Sequence, residues 1–274
     1  MNGSAQPRTA LIAGQGALPE AVAKALDRPL IAALEGFEPK SLVPDVTFRV
    51  ERLVPFLDHL EREGVTRVVF AGAVRRPRLD PALFDPATAS LVPRLLAGMQ
   101  AGDDAALSAV IGIFEEAGFA IAGIEEIAPD LVPGPGVLAG QVTDADRHDA
   151  ARAAAIVRAL GTVDVGQGSV VAQGLCLATE ALPGTDAMLE FVARTARDLR
   201  PDANGAKGLI YKAPKPGQER RVDLPAIGPS TVAGAAAAGL GGIAWEAGGV
   251  LLIDRAATIA AAEAAGLFLW AREP

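Results

Sequence analysis

The chain has 274 residues, a formal net charge of −8, half of its residues hydrophobic and 4% aromatic. That length and composition allow two domains or one large one, and they favour close-packed α/β layers over an aromatic-rich β-sandwich. The acidic balance argues against nucleic acid as a partner, because no basic field offsets phosphate repulsion.

The first half reads as alternating strand and helix. A buried strand is expected over Thr9–Ala13, then a tight turn from Gly14 to Pro19, a helix over Ala17–Ala25 and a strand over Leu30–Leu34. Val50–Glu63 carries Leu53, Phe56, Leu57 and Leu60 at helical spacing. A strand over Arg67–Ala71 follows, then helices over Ala87–Met99 and Asp104–Glu116 and a strand over Phe119–Ile124. This order predicts a parallel sheet flanked by helices. Three prolines and two glycines between Pro129 and Gly136 predict a linker.

The second half opens with a helix over Ala145–Leu160. Strands are expected over Asp164–Gly166 and Ser169–Cys176, a helix over Asp186–Leu199 and a strand over Gly208–Lys212. An Ala-rich helix over Val232–Leu240 precedes strands over Gly242–Trp245 and Val250–Asp254. A helix over Ala256–Ala265 and a strand over Leu267–Ala271 complete the chain. The expected fold is α/β in two domains, 1–130 and 137–274, the first Rossmann-like, joined by the Pro/Gly linker. The single cysteine, Cys176, lies in an apolar run and reads as a buried, inert thiol. Without an intrachain disulfide a reducing, cytoplasmic setting fits. No signal peptide is visible at the N-terminus, and no window is long and apolar enough for a transmembrane helix.

The densest chemistry lies between Lys212 and Thr231. Lys212, Lys215, Arg220, Arg221, Gln218 and Asp223 crowd into a stretch too rich in Pro and Gly for one regular element. Pro229, Ser230 and Thr231 stand where a helix begins, and Ser or Thr hydroxyls bond free amides there. Cations, a lone carboxylate and a helix start are the parts that hold a phosphate and a divalent metal. A solvated loop before a capped helix is the plainer alternative.

Other segments add pieces. Gly14-Gln15-Gly16 follows a strand and opens a helix, as phosphate-binding turns do. With Glu35 after the next strand it resembles a dinucleotide fingerprint, although Pro19 replaces the third glycine. Arg75 and Arg76 sit past the end of a strand, where ligands of open sheets gather. Asp103 and Asp104 read as helix caps, as do Thr185 and Asp186. Glu180, Asp186 and Asp223 all fall at element ends, and two of them could share Mg²⁺ with substrate phosphates. His59 and His148 are too far apart in sequence and too polar in setting to suggest a zinc site or a triad.

Taken in order, Gly14-Gln15-Gly16-x-x-Pro19, Gly72-x-Val74-x-Arg76-Pro77, Gly102-Asp103-Asp104, Asp164-Val165-Gly166-Gln167, Gly184-Thr185-Asp186-Ala187-Met188, Lys215-Pro216-x-Gln218 and Arg221-x-Asp223-Leu224-Pro225-x-Ile227-Gly228-Pro229-x-Thr231 form a pattern. The whole chain resembles the Mg²⁺-dependent UDP-2,3-diacylglucosamine pyrophosphatases of lipid A biosynthesis that lack the calcineurin-like phosphoesterase motif. One departure is Leu182-Pro183, where the family usually carries Glu or a similar polar residue.

The resemblance implies two α/β domains with the substrate held between them. It implies hydrolysis of UDP-2,3-diacylglucosamine to UMP and 2,3-diacylglucosamine 1-phosphate, with water attacking the phosphorus nearer the glucosamine. It places the essential aspartate at Asp223 but does not fix the metal ligands; Asp186, by its place at an element end, is the second candidate for the Mg²⁺ beside Asp223. Gly14, Gln15, Gly16, Arg75, Gln167, Thr185, Lys212, Lys215, Gln218 and Thr231 become the candidate substrate-binding residues. It leaves room for peripheral contact with the inner membrane and for a homodimer. Two other classes fit single features: a nicotinamide-dependent oxidoreductase, through Gly14-x-Gly16 and Glu35, and a nucleotide-sugar sensor without turnover.

Overall fold

The computed structural model describes residues 8–75, 77–196 and 199–274. The chain divides into two compact units, Met1–Pro129 and Asp130–Pro274.

The first unit holds a five-stranded sheet: β1 (Arg8–Ala13), β2 (Leu30–Leu34), β3 (Val46–Phe48), β4 (Val65–Ala71) and β5 (Ala120–Ala122). The strand order is β3-β2-β1-β4-β5 and every pairing is parallel. That is the order of a doubly wound dinucleotide-binding sheet. Alternation decides the faces. Ala10 and Ile12 of β1 pack with Leu53, Phe56, Leu57 and Leu60 of α2 (Leu53–Arg62). Phe114 of α5 (Asp103–Glu116) joins the same core, edge-on to Phe56 and Phe70. On the other side α1 (Leu18–Ala25) contacts β1 and β4.

One strand is additional in this half and two expectations change. Val46–Phe48 pairs as an edge strand, too short and too polar around Thr47 to register as a buried run. The helix expected over Ala87–Met99 is two, α3 (Pro86–Ala89) and α4 (Val92–Ala101), broken just before Pro93 as an X-Pro step favours. The strand expected through Ile124 ends at Ala122, and Ile124 opens a one-turn helix, α6 (Ile124–Ile127).

The second unit is built on a six-stranded mixed sheet. Its strands are β6 (Gly136–Ala139), β7 (Gly168–Ala172), β8 (Leu175–Thr179), β9 (Leu209–Lys212), β11 (Gly242–Glu246) and β13 (Phe268–Arg272), ordered β6-β13-β11-β9-β7-β8. The central three, β13, β11 and β9, are parallel; β6, β7 and β8 run antiparallel to their neighbours. A separate parallel pair joins β10 (Ala226–Ile227) to β12 (Leu251–Leu252). One face of the large sheet packs Val171, Leu209, Tyr211 and Ala244 against α7 (Asp144–Gly161). The opposite face packs Val170, Ile210, Ile243 and Trp245 against α8 (Gly184–Phe191), α9 (Pro229–Ala237) and α10 (Arg255–Ala265). Strands covered on both faces read as continuous apolar runs, which is why β9 and β11 were legible.

The Pro/Gly stretch does not run as linker to Gly136, because Gly136 already starts β6, antiparallel to β13. Asp164–Gly166 is a turn, with Asp164 at φ 59 and Gly166 at φ 61. Ser169–Cys176 is not one strand. It folds back at Gln173-Gly174, where the buried Asp149 carboxylate accepts the amides of Gln173 at 2.9 Å and Gly174 at 2.7 Å. Val250–Asp254 contributes only Leu251-Leu252, to the small pair. The α8 helix passes into a π-turn over Val192–Ala196, and Arg197 and Asp198 of the expected helix lie outside the described residues. Cys176 is exposed rather than buried, because β8 is the outermost strand of the sheet.

Candidate active site

In the first unit the topology joins two segments that are far apart in sequence. β1 and β4 are neighbours at the point where the strand order reverses, so their carboxyl ends meet. Gln15 and Ala73 exchange backbone hydrogen bonds at 2.8 and 2.9 Å, and Gly14 N donates to Ala71 O at 2.8 Å. Side chains would not fit: a Cβ on Gly14 would lie 2.7 Å from Ala73 O, and one on Gly72, at φ +97, 2.8 Å from Gln15 O. Gly14 and Gln15 therefore spend their amides on the chain itself and have none to offer a phosphate. Gly16, at φ +101, is open and exposed, as are Gln15 and Arg75. Arg76 lies outside the described residues. Glu35 follows β2 directly as the fingerprint requires, but its Oε1 accepts from Arg49 at 2.7 Å.

In the second unit the strand directions gather far more chemistry at one edge. Lys212 ends β9 opposite Gly168, which starts β7, and Ser169 pairs with Thr179 near the end of β8. Gln167, Glu180 and Lys212 therefore share that edge, and alternation turns Lys212 to the face covered by α8 and α9. Lys212 is 5% exposed. Its Nζ donates to Thr185 Oγ1 at 2.7 Å and to Ala226 O at 3.4 Å, and Glu180 Oε2 lies 3.7 Å away. Burial holds the Lys212 pKa below the usual lysine value, and the negative charges of Glu180 and Asp186 offset only part of that fall.

Thr185 does not cap α8. The helix starts at Gly184 with Pro183 as the capping residue, no side chain caps it, and the threonine hydroxyl serves Lys212 instead. Asp186 is exposed on the first turn. Gly102 likewise takes the capping position of α5, so Asp103 and Asp104 stand in its first turn rather than as caps.

Beside Lys212 runs a second network. Gln218 is 7% exposed, and its carbonyl oxygen accepts from Gln167 Nε2 at 2.9 Å and from Lys215 N at 2.7 Å. Those two donors fix the orientation of the amide, so Nε2 faces and donates to Asp223 Oδ2. Lys215 Nζ, buried at its stem, pairs with Asp164 Oδ1. Arg221 folds onto Glu219 at 2.7 Å, and Arg220 reaches Glu246 at 2.7 Å. Thr231 is buried inside the first turn of α9 and accepts Gly228 N at 3.3 Å. The stretch from Lys212 to Thr231 is thus an ordered, cross-linked loop and not a solvated one. Substituting Gln218 with Leu removes the amide that donates to Asp223 and the oxygen that accepts from Gln167 Nε2 and Lys215 N. It should cut turnover by about tenfold or more with a modest stability loss of about 1–3 kcal/mol, measured by steady-state assay and urea titration.

The candidates of the second unit form two networks at that edge, Lys212 with Thr185 and Gln218 with Gln167, Lys215 and Asp223, whereas Thr231 is taken up in the first turn of α9. Residues 8–131 match the model of the LpxI N-terminal domain and residues 134–270 that of the LpxI C-terminal domain. The chain belongs to the LpxI family. Its sequence is 41% identical over 272 residues to the UDP-2,3-diacylglucosamine pyrophosphatase LpxI of Caulobacter vibrioides, covering 96% of this chain and 97% of that protein. Seen as an LpxI chain, its sequence undersold two residues. Asp164 is the partner of Lys215, and Glu180 that of Lys212; the signal for both was the Gly166-Gln167-Gly168 run between them, whose glycines have a packing cause described below.

Proposed function

We propose that this chain hydrolyses the pyrophosphate of UDP-2,3-diacylglucosamine, releasing UMP and 2,3-diacylglucosamine 1-phosphate in lipid A biosynthesis. The observation that carries this reading is one carboxylate, Asp223, held by the Gln218 amide whose oxygen also accepts the backbone N–H of the buried Lys215, in a chain alike over 96% of its length to a pyrophosphatase of that name.

A pyrophosphate diester needs its negative charge balanced before water attacks. Lys212, deep in the site, is the fixed cation for that purpose; Lys215 is a second, tethered to Asp164. Asp223, turned by Gln218, orients the attacking water or holds a metal. The donor set suits Mg²⁺, which takes one or two protein carboxylates and completes its shell with water and phosphate oxygens. No group of three or more His, Cys, Asp or Glu side chains forms a closed cage among the described residues, as such an ion allows. Asp223 would hold it, and when bound it supplies charge neutralisation at the phosphates.

The test is UMP release from UDP-2,3-diacylglucosamine, with and without EDTA. Turnover that stops in EDTA and returns with Mg²⁺ supports both substrate and ion. Turnover indifferent to EDTA removes the metal from the reading. Tight binding without UMP would leave a nucleotide-sugar sensor, and oxidation of NADH by the same protein would favour the oxidoreductase. Water is expected to attack the phosphorus nearer the glucosamine, so oxygen-18 from solvent should appear in the sugar phosphate and not in UMP. No described helix is long and apolar enough to cross a membrane. A substrate with two acyl chains therefore points to peripheral contact at the cytoplasmic face of the inner membrane, checked by vesicle flotation. A homodimer is checked by light scattering.

A further inference from the structure

Glu180 follows β8 directly, and its backbone N donates to Gly168 O at 2.8 Å. Its carboxylate is mostly enclosed, with 13% of the side chain exposed, and Oε2 is buried with no hydrogen-bond partner among the described residues. A carboxylate oxygen left in that state is costly, so a compensating charge is expected. That charge is the Lys212 ammonium, 3.7 Å away.

The surrounding chain is shaped to admit this one acid. A Cβ on Gly166 would stand 2.1 Å from the Glu180 carbonyl oxygen, and a Cβ on Gly168 would stand 2.7 Å from Oε2. Both glycines of Gly166-Gln167-Gly168 therefore make room for Glu180, one for its backbone and one for its carboxylate.

From the Lys212 side the need is reciprocal. Its ammonium carries three N–H groups. Thr185 Oγ1 and Ala226 O take two but bring no charge. The charged groups facing it are Glu180 from the end of β8 and Asp186 from α8, and of these Asp186 is exposed to solvent.

We propose that Glu180 is a positioning residue for pyrophosphate hydrolysis, whose carboxylate holds the Lys212 ammonium charged and fixed at the sheet edge where the substrate phosphates bind. Glu180 does not touch substrate. It acts through Lys212, and so presupposes the activity proposed above.

A double-mutant cycle tests it, using UMP release by the full chain with thermal unfolding as a check on folding. Glu180→Gln keeps the shape and removes the charge. It should lower kcat by about tenfold or more while KM moves less than about threefold, because the charge matters most where it develops in the transition state. Glu180→Asp should recover part of that loss. In a Lys212→Met background, Glu180→Gln should cost less than about twofold, since residues acting as a unit are not additive. Multiplying effects, or a Glu180→Gln enzyme within about twofold of the parent, would overturn the proposal. Should Glu180→Gln fail to fold, Gly168→Ala answers instead. It pushes the carboxylate aside and keeps both charges, with its other neighbours, Met188 Cε and Tyr211 O, no closer than 3.4 Å. A folded Gly168→Ala protein with full turnover would sink the idea equally. A parent protein that releases no UMP at all refutes the assigned activity instead, and the two failures are distinct.

Discussion

Replacing Asp223 with alanine will remove turnover and leave substrate binding nearly intact. The Gln218 amide donates to the carboxylate and aims it, and the segment Leu224-Pro225-Ala226-Ile227-Gly228 leads from Asp223 directly to the start of α9 at Pro229. A group that orients water or a metal contributes to the transition state far more than to the ground state. The loss should reach at least a hundredfold in kcat, about 3 kcal/mol, with Kd for the UDP-sugar changed less than about threefold. Single-turnover assay and calorimetric titration measure the two separately. A mutant retaining about a tenth of the parental rate would leave Asp223 outside the chemistry, because the expected contribution is several kcal/mol.

The second large effect is on folding. Gly166→Ala should destabilise the second unit by about 3 kcal/mol or more, roughly a 10 °C fall in melting temperature. Two causes add. Gly166 sits at φ +61, where a side chain costs about 1–2 kcal/mol, and its Cβ would come to 2.1 Å from the Glu180 backbone oxygen. The obstacle is main chain, so no rotamer change relieves it. Gly248→Ala is the control. It has nearly the same backbone, φ +70, but nothing within 4 Å of the new Cβ, so only the conformational cost of about 1 kcal/mol should remain. Equal melting curves for the two variants would remove the close approach to Glu180 from the account. Because Gly166 frames Glu180, residual activity of its alanine variant should also fall, whereas Gly248→Ala should keep full turnover per folded molecule.

The elements that were legible in the sequence share a physical cause. β1, β2, β4, β9, β11 and β13 lie inside their sheets, and each carries three or more consecutive apolar residues that need no partner to be recognised. α2 has one apolar stripe and α9 begins at Pro229, a residue suited to a first turn. What failed was decided by pairing. β3 and β6 are edge strands of three and four residues whose stability lies in a neighbour distant in sequence. The β7–β8 hairpin reads as one strand because its turn depends on Asp149 of α7 rather than on a local Asn-Gly signal. Cys176 was misjudged for the same reason: an apolar run in an outermost strand has an open side.

The site divides along the same line. Residue types marked Lys212, Gln218 and Asp223 as candidates, because phosphate chemistry demands cations and a carboxylate, and the order of the short motifs along the chain carried the resemblance to the family. Sequence could not say that Gly14 and Gln15 spend their amides on Ala71 and Ala73, since that follows from β1 lying beside β4. Nor could it say that Thr185 serves Lys212 rather than a helix terminus, or that Glu180 stands behind that lysine. Those partnerships join residues 27 and 32 positions apart, Thr185 and Glu180 with Lys212. Composition and spacing specify which groups a chain carries; only the antiparallel turn of β7 and β8 against β9 brings their ends to one edge, and burial there then makes each charge depend on its neighbour.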